Sequence, residues 1–270
     1  MGPADFPNLS KPSYMLDERL GVLRAPVLEG FLWLTHGVTT RKFAASEAET
    51  FELTAEVHRR LVPGASRVFC CEQVHESRIA LVASSVGDDG ANRIRREGPV
   101  AQLLGADALI VSEPSLAITI RTADCVPLLL VDVRRRRVAA VHAGWRGSLD
   151  RIAEKAIARM VRLGTAPADI VAWMGPTISR DRYEVGPELA GRFAAAFPDF
   201  DGIVADDHLD LVLLNACQLK TAGVPGSQIH AANCCTTGRP DLCFSYRAER
   251  DRAGRMVTYA MILPEGNYQI

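Results

Sequence analysis

The chain has 270 residues, 31 basic and 32 acidic, with 48% hydrophobic and 23% charged side chains and a net charge of −1. This is the profile of a globular protein with a sizeable core. It argues against a nucleic-acid or membrane-surface binder, which would carry a strong basic excess. No apolar stretch is long enough to cross a bilayer, no basic-then-apolar leader opens the chain, and the seven cysteines follow no small-scaffold spacing. A cytoplasmic protein with free thiols is expected.

Residues 1–30 read as an N-terminal tail, loose to about Lys11, and a first strand region. Residues 31–270 read as one domain without a linker. "FLWLTHGVTTR" predicts a strand running into a glycine turn. "SEAETFELTAEVHRRL" predicts a helix, with Ser46 and Glu49 as a capping box. "RVFCCEQVH" and "RIALVA" are strand-like, and "GDDGANRIRREGPVAQLLG" reads as an exposed loop. Four close apolar runs follow: "ADALIVS", "SLAITIRTADC", "VPLLLVDV" and "RVAAVHA". Their short connections predict antiparallel neighbours, and their continuous apolar character predicts burial on both faces. Arg134–Arg137 between the last two reads as a solvated hairpin turn.

"SLDRIAEKAIARMVRLG" predicts an amphipathic helix capped by Ser148 and ended by Gly164. "DIVAWMGP" is a strand, "PELAGRFAAAF" and "LDLVLLNACQLKTAG" are helices, and "QIHAANC" and "RMVTYAMI" are the last strands. Strands in the centre with helices on the flanks make a mixed, layered α/β domain.

His75, Cys125 and His142 each stand at the end of an apolar run, where a rigid sheet presents side chains to a cleft. Two imidazoles and a thiolate suit zinc or copper, and three ligands leave a fourth position open. The bland reading is two surface histidines and a core cysteine. Cys125 and His142 also suit a metal-free nucleophilic pair. Arg41, Arg121 and Arg146 lie near the same turns. Their guanidinium forks fit phosphate or carboxylate, or pair with a structural carboxylate such as Asp124. Trp145, Phe244, Tyr246 and Tyr183 are candidates for stacking on a base. His36, His58, His208 and His230 read as surface or core residues.

Five segments, "CEQVH", "GADALIVSEPSLAITIRTADCVPLLLVD", "VAAVHAGWRGS", "GPTISRDRYEVGPEL" and "CFSYRAERDRAGRM", resemble the bacterial laccase-domain family in content and order. Members of that family have been called polyphenol oxidases, purine nucleoside phosphorylases and peptidoglycan editing factors. The resemblance implies an α/β/β/α sandwich with mixed, largely antiparallel sheets. It implies zinc, with copper as the alternative metal, held by His75, Cys125 and His142. It implies phosphorolysis of adenosine, inosine and methylthioadenosine, with adenosine deamination as a second reaction. Asp124, Cys125 and His142 would then be catalytic, and Arg41, Arg146, Trp145 and Tyr183 would bind substrate and phosphate. The expected partners are purine nucleosides and phosphate, with no nucleic acid or membrane, in a monomer or small homo-oligomer. The family's Gly-rich loop is replaced by "KFAASEAETF", and Glu76 stands where a glycine is usual. Two other readings accompany this one: a cysteine-type amide hydrolase editing cell-wall precursors, and a copper-dependent polyphenol oxidase.

Overall fold

The structure is a computed structural model and describes residues 1–44, 60–85 and 93–266. The helix predicted over 46–61, with its capping box, lies almost wholly outside the described residues.

Two mixed sheets pack face to face. The larger has the order β1-β2-β3-β16-β9-β4-β7-β6, and the smaller β15-β12-β10-β11-β8-β5. The larger sheet contains β1 (Met15–Asp17), β2 (Val22–Arg24), β3 (Leu34–Thr39), β4 (Arg67–Cys71), β6 (Ile94–Glu97), β7 (Val100–Leu103), β9 (Leu116–Thr122) and β16 (Met256–Ile262). The smaller contains β5 (Ile79–Val82), β8 (Ala108–Val111), β10 (Val126–Asp132), β11 (Arg137–Ala143), β12 (Ile170–Met174) and β15 (Ile229–Ala231). A two-stranded ribbon, β13 (Val204–Ala205) and β14 (His208–Leu209), stands apart. Most pairings are antiparallel. The parallel ones are β4 with β7 and β9, β5 with β8, and β12 with β15.

The continuous apolar runs are explained by burial on both faces. Along β10, Val126, Leu128 and Leu130 pack under the helices, while Leu129 and Val131 face the other sheet. β11 alternates likewise, Ala139 and Val141 outward and Val138 and Ala140 inward. Helices Ile152–Arg162 and Leu211–Thr221 cover the outer face of the smaller sheet. Phe43, Leu61 and Val62 pack on the outer face of the larger. Both of those helices end as the sequence predicted. Gly164 and Gly223 adopt φ of +91° and +95°, and the residue after each donates back into the last turn.

Several expectations are corrected. The four central runs are not all neighbours in one sheet: β8, β10 and β11 share the smaller sheet, but β9 belongs to the larger. Apolar pattern alone does not distinguish a strand buried between sheets from one buried under helices. The loop expected before Gly105 contains the hairpin β6–β7, turned at Gly98 with φ +56°. Gly37 sits within β3, not at a turn, because a Cβ there would lie 2.5 Å from Val22 Cγ1 and 2.8 Å from the Tyr259 hydroxyl.

The helix predicted from Ser148 is two helices, Trp145–Leu149 and Ile152–Arg162, broken at Arg151 with φ +59°. Ser148 is no cap. It is buried, and it accepts from Asn215 Nδ2 on its hydroxyl at 3.0 Å and from Gln218 Nε2 on its carbonyl at 2.6 Å. The tail is not loose either. Phe6 is buried in the core, Lys220 donates to Asp5, and the first residue's backbone bonds Asp199 and Asp201. The Arg134–Arg137 turn is as predicted, with the Asp132 carboxylate accepting from the backbone N–H groups of Arg134 and Arg135.

The registers gather one set of chain segments at one end of the sandwich. β4 and β9 run parallel and end there, and β16 starts there with Met256 opposite Thr122. β10 starts there and β11 ends there, with Val126 opposite Ala143. The connections from β4 to β5 and from β9 to β10 cross from one sheet to the other at this end. The site lies on these crossings.

Candidate metal centre in a basic cleft

Cys125 stands on the second crossing, one residue before β10. His142 is the penultimate residue of β11, on the face that looks between the sheets. His75 is on the first crossing. The candidate ligand atoms of the three lie within 4.8 Å of one another. The imidazoles of His75 and His142 meet edge to face, 4.8 Å between centroids. His75 is exposed, Cys125 half-buried and His142 buried.

The crossings need unusual backbone. Gln73, His75 and Asp124 all have positive φ, at 61°, 61° and 87°. For residues other than glycine this costs about 1 kcal/mol or more each. Side chains compensate. The Gln73 amide bonds both backbone groups of Arg121, donating to its carbonyl at 2.6 Å and accepting from its N–H at 2.7 Å. This side chain continues the β4–β9 ladder after β4 has ended. The fully buried Asp107 carboxylate accepts from the backbone N–H groups of His75 at 3.0 Å and Glu76 at 2.9 Å.

The same carboxylate pairs with His142 Nδ1 at 2.8 Å, which leaves Nε2 for the cluster. Burial disfavours a charged imidazole, but the Cys125 thiolate and the Asp107 carboxylate outweigh it and raise His142 to about 9. Burial likewise raises a thiol, but His142 and His75 prevail and bring Cys125 down to about 6. The metal-free protein therefore holds a thiolate–imidazolium pair near neutral pH.

The residues fit a metal ion. Two imidazoles and a ready thiolate make the donor set, and one histidine is already oriented by a carboxylate. The backbone leaves room as well. A Cβ on Gly144 would come within 3.0 Å of Cys125 Sγ and 3.3 Å of His75 Cδ2. Gly147 lets the following helix approach closely, since a Cβ there would lie 2.8 Å from the Glu76 carbonyl.

The cluster opens into a cleft of about 1220 Å³. Trp145, Arg146 and Tyr183 line it, and Arg146 lies over the Trp145 ring, 4.4 Å from its centroid. Arg41 is not among the lining residues. Its Nε donates to the Cys243 carbonyl at 2.9 Å, its terminal nitrogen pairs with Glu249, and its guanidinium covers Phe244. Asp124 lines the cleft, but its carboxylate is engaged by the Thr236 hydroxyl and by the Arg247 N–H at 2.6 Å. It ties the crossing to the 236 and 247 segments, and its hydrogen bonds go to these and not to His75 or His142.

Sequence reading missed Asp107 and the arginines of the 247–255 segment. A carboxylate inside the apolar run "GADALIVS" was the available signal, because a buried charge requires partners. Among the other histidines, His36 is a core residue whose Nε2 accepts from the Ala25 N–H at 3.0 Å. His58 lies outside the described residues.

Two face-to-face mixed sheets, with a His–Cys–His cluster where the chain crosses between them, define an α/β protein with a candidate metal centre in a basic, aromatic-lined cleft. The family model described as multi-copper polyphenol oxidoreductase laccase matches residues 36–263, and the chain belongs to that family. It is 34% identical over 258 residues to a purine nucleoside phosphorylase of Bacteroides thetaiotaomicron, covering 87% of this chain and 94% of the relative. It is 35% identical over 192 residues to adenosine deaminase RL5 of an unknown prokaryotic organism, covering 69% and 71%. The crystal structure of YlmD from Geobacillus stearothermophilus superposes with a TM-score of 0.79 at 28% identity, covering 94% of this chain and all of that one. Among the described residues no helix is long and apolar enough to cross a membrane.

Proposed function

We propose that this chain is a zinc-dependent purine nucleoside phosphorylase acting on adenosine, inosine and methylthioadenosine, with adenosine deamination as a second reaction. The carrying observation is the His75–Cys125–His142 cluster opening into a cleft lined by guanidinium and aromatic groups. The names of the relatives above agree with this reading.

His75, Cys125 and His142 would hold the zinc. When bound, zinc supplies Lewis acidity and acidifies a water toward neutral pH. Arg146 binds free phosphate as a bidentate donor. Trp145 and Tyr183 flank the purine. Burial raises the Tyr183 phenol, so it remains a hydrogen-bond donor at neutral pH. Asp124 keeps the Cys125 turn in register with the 247 segment. Arg41, expected at the phosphate, supports that segment through Glu249.

The test is incubation of metal-defined protein with adenosine, with and without phosphate. The expected products are adenine and ribose 1-phosphate, only with phosphate, and lost in His142→Ala. Inosine alone would mean deamination without phosphorolysis, and no product from zinc-loaded protein would refute the reading.

One observation favours a second reading. Cys125, His142 and Asp107 line up as thiolate, imidazole and orienting carboxylate, the arrangement of a cysteine nucleophile for amide hydrolysis. It predicts activity that survives metal removal and is lost on thiol alkylation. The copper oxidase reading has less support, since the whole chain has six histidines and multicopper sites need many imidazoles.

A further inference from the structure

The cleft holds more positive charge than free phosphate requires. Besides Arg146, its lining includes Arg121 on β9 and Arg247, Arg250, Arg252 and Arg255 ahead of β16. Among the described residues its acidic lining is Glu72, Asp124 and Asp251. Two of these are committed: Glu72 accepts from the Gly105 N–H at 2.8 Å, and Asp124 is bonded as described.

Two of the arginines are held in place. Arg247 donates to the Glu184 carbonyl at 2.8 Å and lies over Tyr183, 5.2 Å from its centroid. Arg255 donates to the carbonyls of Ala253 and Gly254 at 2.6 and 3.0 Å and lies over Tyr246 at 5.9 Å. A guanidinium has five N–H donors, so each keeps some for a ligand.

A separate observation points the same way. Thr122 lines the cleft at 1% exposure, and its hydroxyl has no hydrogen-bond partner among the described residues. A buried hydroxyl without a partner carries a desolvation penalty that an acceptor on a ligand removes. Guanidinium groups gathered in one cleft repel one another until an anion joins them, and phosphate is the anion their forks match best.

We infer that the preferred substrate carries a phosphate of its own: a purine nucleoside monophosphate, its phosphate ester among the guanidinium groups of residues 247–255, with free phosphate at Arg146. This rests on the phosphorylase reading above. The reaction balances. The C1′–N bond to the purine breaks, an oxygen of free phosphate bonds to C1′, and the purine leaves with the electron pair and takes up a proton. The products are the free base and a ribose bearing two phosphates.

The test uses zinc-loaded protein in saturating inorganic phosphate. Binding of adenosine 5′-monophosphate and of adenosine is measured by calorimetry, and turnover of both is followed. The variant Arg250→Glu/Arg252→Glu is compared, since both positions are exposed and circular dichroism can verify its fold. The monophosphate is expected to bind at least about tenfold more tightly than adenosine, and the double variant to erase that advantage while leaving adenosine binding unchanged. Equal affinity for the two ligands overturns the inference, as does an advantage that survives in the double variant. A second inorganic phosphate that the monophosphate does not displace also overturns it. If adenosine is phosphorolysed while the monophosphate is ignored, the inference alone fails. If neither ligand is turned over, the phosphorylase reading fails, whichever binds.

Discussion

Asp107→Asn tests the logic of the centre directly. The carboxylate is fully buried and serves three donors, His142 Nδ1 and the N–H groups of His75 and Glu76. Asparagine fits the same space but offers one acceptor oxygen, and its amide nitrogen must face a donor. One backbone N–H is then left unpaired at about 1–3 kcal/mol, and the charge that orients the imidazole is gone. Loss of such an outer partner lowers metal affinity about 10–100-fold, which is about 1.4–2.7 kcal/mol. Asp124→Asn is the contrast, because Asp124 bonds Thr236 and Arg247 and neither histidine. Zinc affinity measured by chelator competition should fall at least about tenfold in Asp107→Asn and stay within about twofold in Asp124→Asn. Folded Asp107→Asn protein that binds zinc like the wild type would refute the assignment of Asp107 as a positioning residue.

Zinc uptake should also depend on pH in a defined way. With Cys125 near 6 and His142 near 9, the metal-free pair is thiolate and imidazolium between those values. Binding needs the thiolate and a neutral imidazole, so one proton leaves per zinc in that window and affinity rises about tenfold per pH unit. The slope should flatten above about 9 and steepen below about 6, as calorimetry in buffers of different ionisation enthalpy would reveal. Gly144→Ala places a Cβ 3.0 Å from Cys125 Sγ. It should weaken zinc binding while shifting thermal unfolding by only a few degrees, and unchanged zinc affinity would refute the cradle argument. Arg41→Ala breaks the contacts to Glu249, Cys243 and Phe244. It should lower stability by about 1–3 kcal/mol in denaturant titration and leave the KM for phosphate within about twofold. A large rise in that KM would return Arg41 to the phosphate site.

Much of this protein is legible in its sequence because burial on both faces leaves an unmistakable mark. The runs that became β8 to β11 contain little but apolar residues, and the caps at Gly164 and Gly223 are where a positive φ was needed. Sheet membership was not legible. β9 and β10 are equally apolar, and nothing in either says which faces the helices. The site suffered in the same way. His75, Cys125 and His142 stand out as polar residues at the ends of apolar runs. Asp107, Gln73 and Thr236 act through partners 35, 48 and 112 positions away, a distance no local pattern reports.

That difficulty follows from how the centre is built. A chain crossing between two packed sheets must leave one ladder before it joins the next, so its backbone groups lose their strand partners there. Gln73 and Asp107 replace those partners with side-chain oxygens and nitrogens, and so hold the left-handed residues Gln73 and His75 of the first crossing in place. A simple turn would have sufficed to reverse direction. The strained form instead brings His75, on the first crossing, within 4.8 Å of Cys125 on the second, with His142 reaching them from the end of the hairpin that follows. The same carboxylate that secures one crossing also orients His142. Folding of the crossings and assembly of the candidate metal centre are therefore one event, and a substitution that relaxes the backbone at 73–76 should loosen the ligand set before it unfolds either sheet.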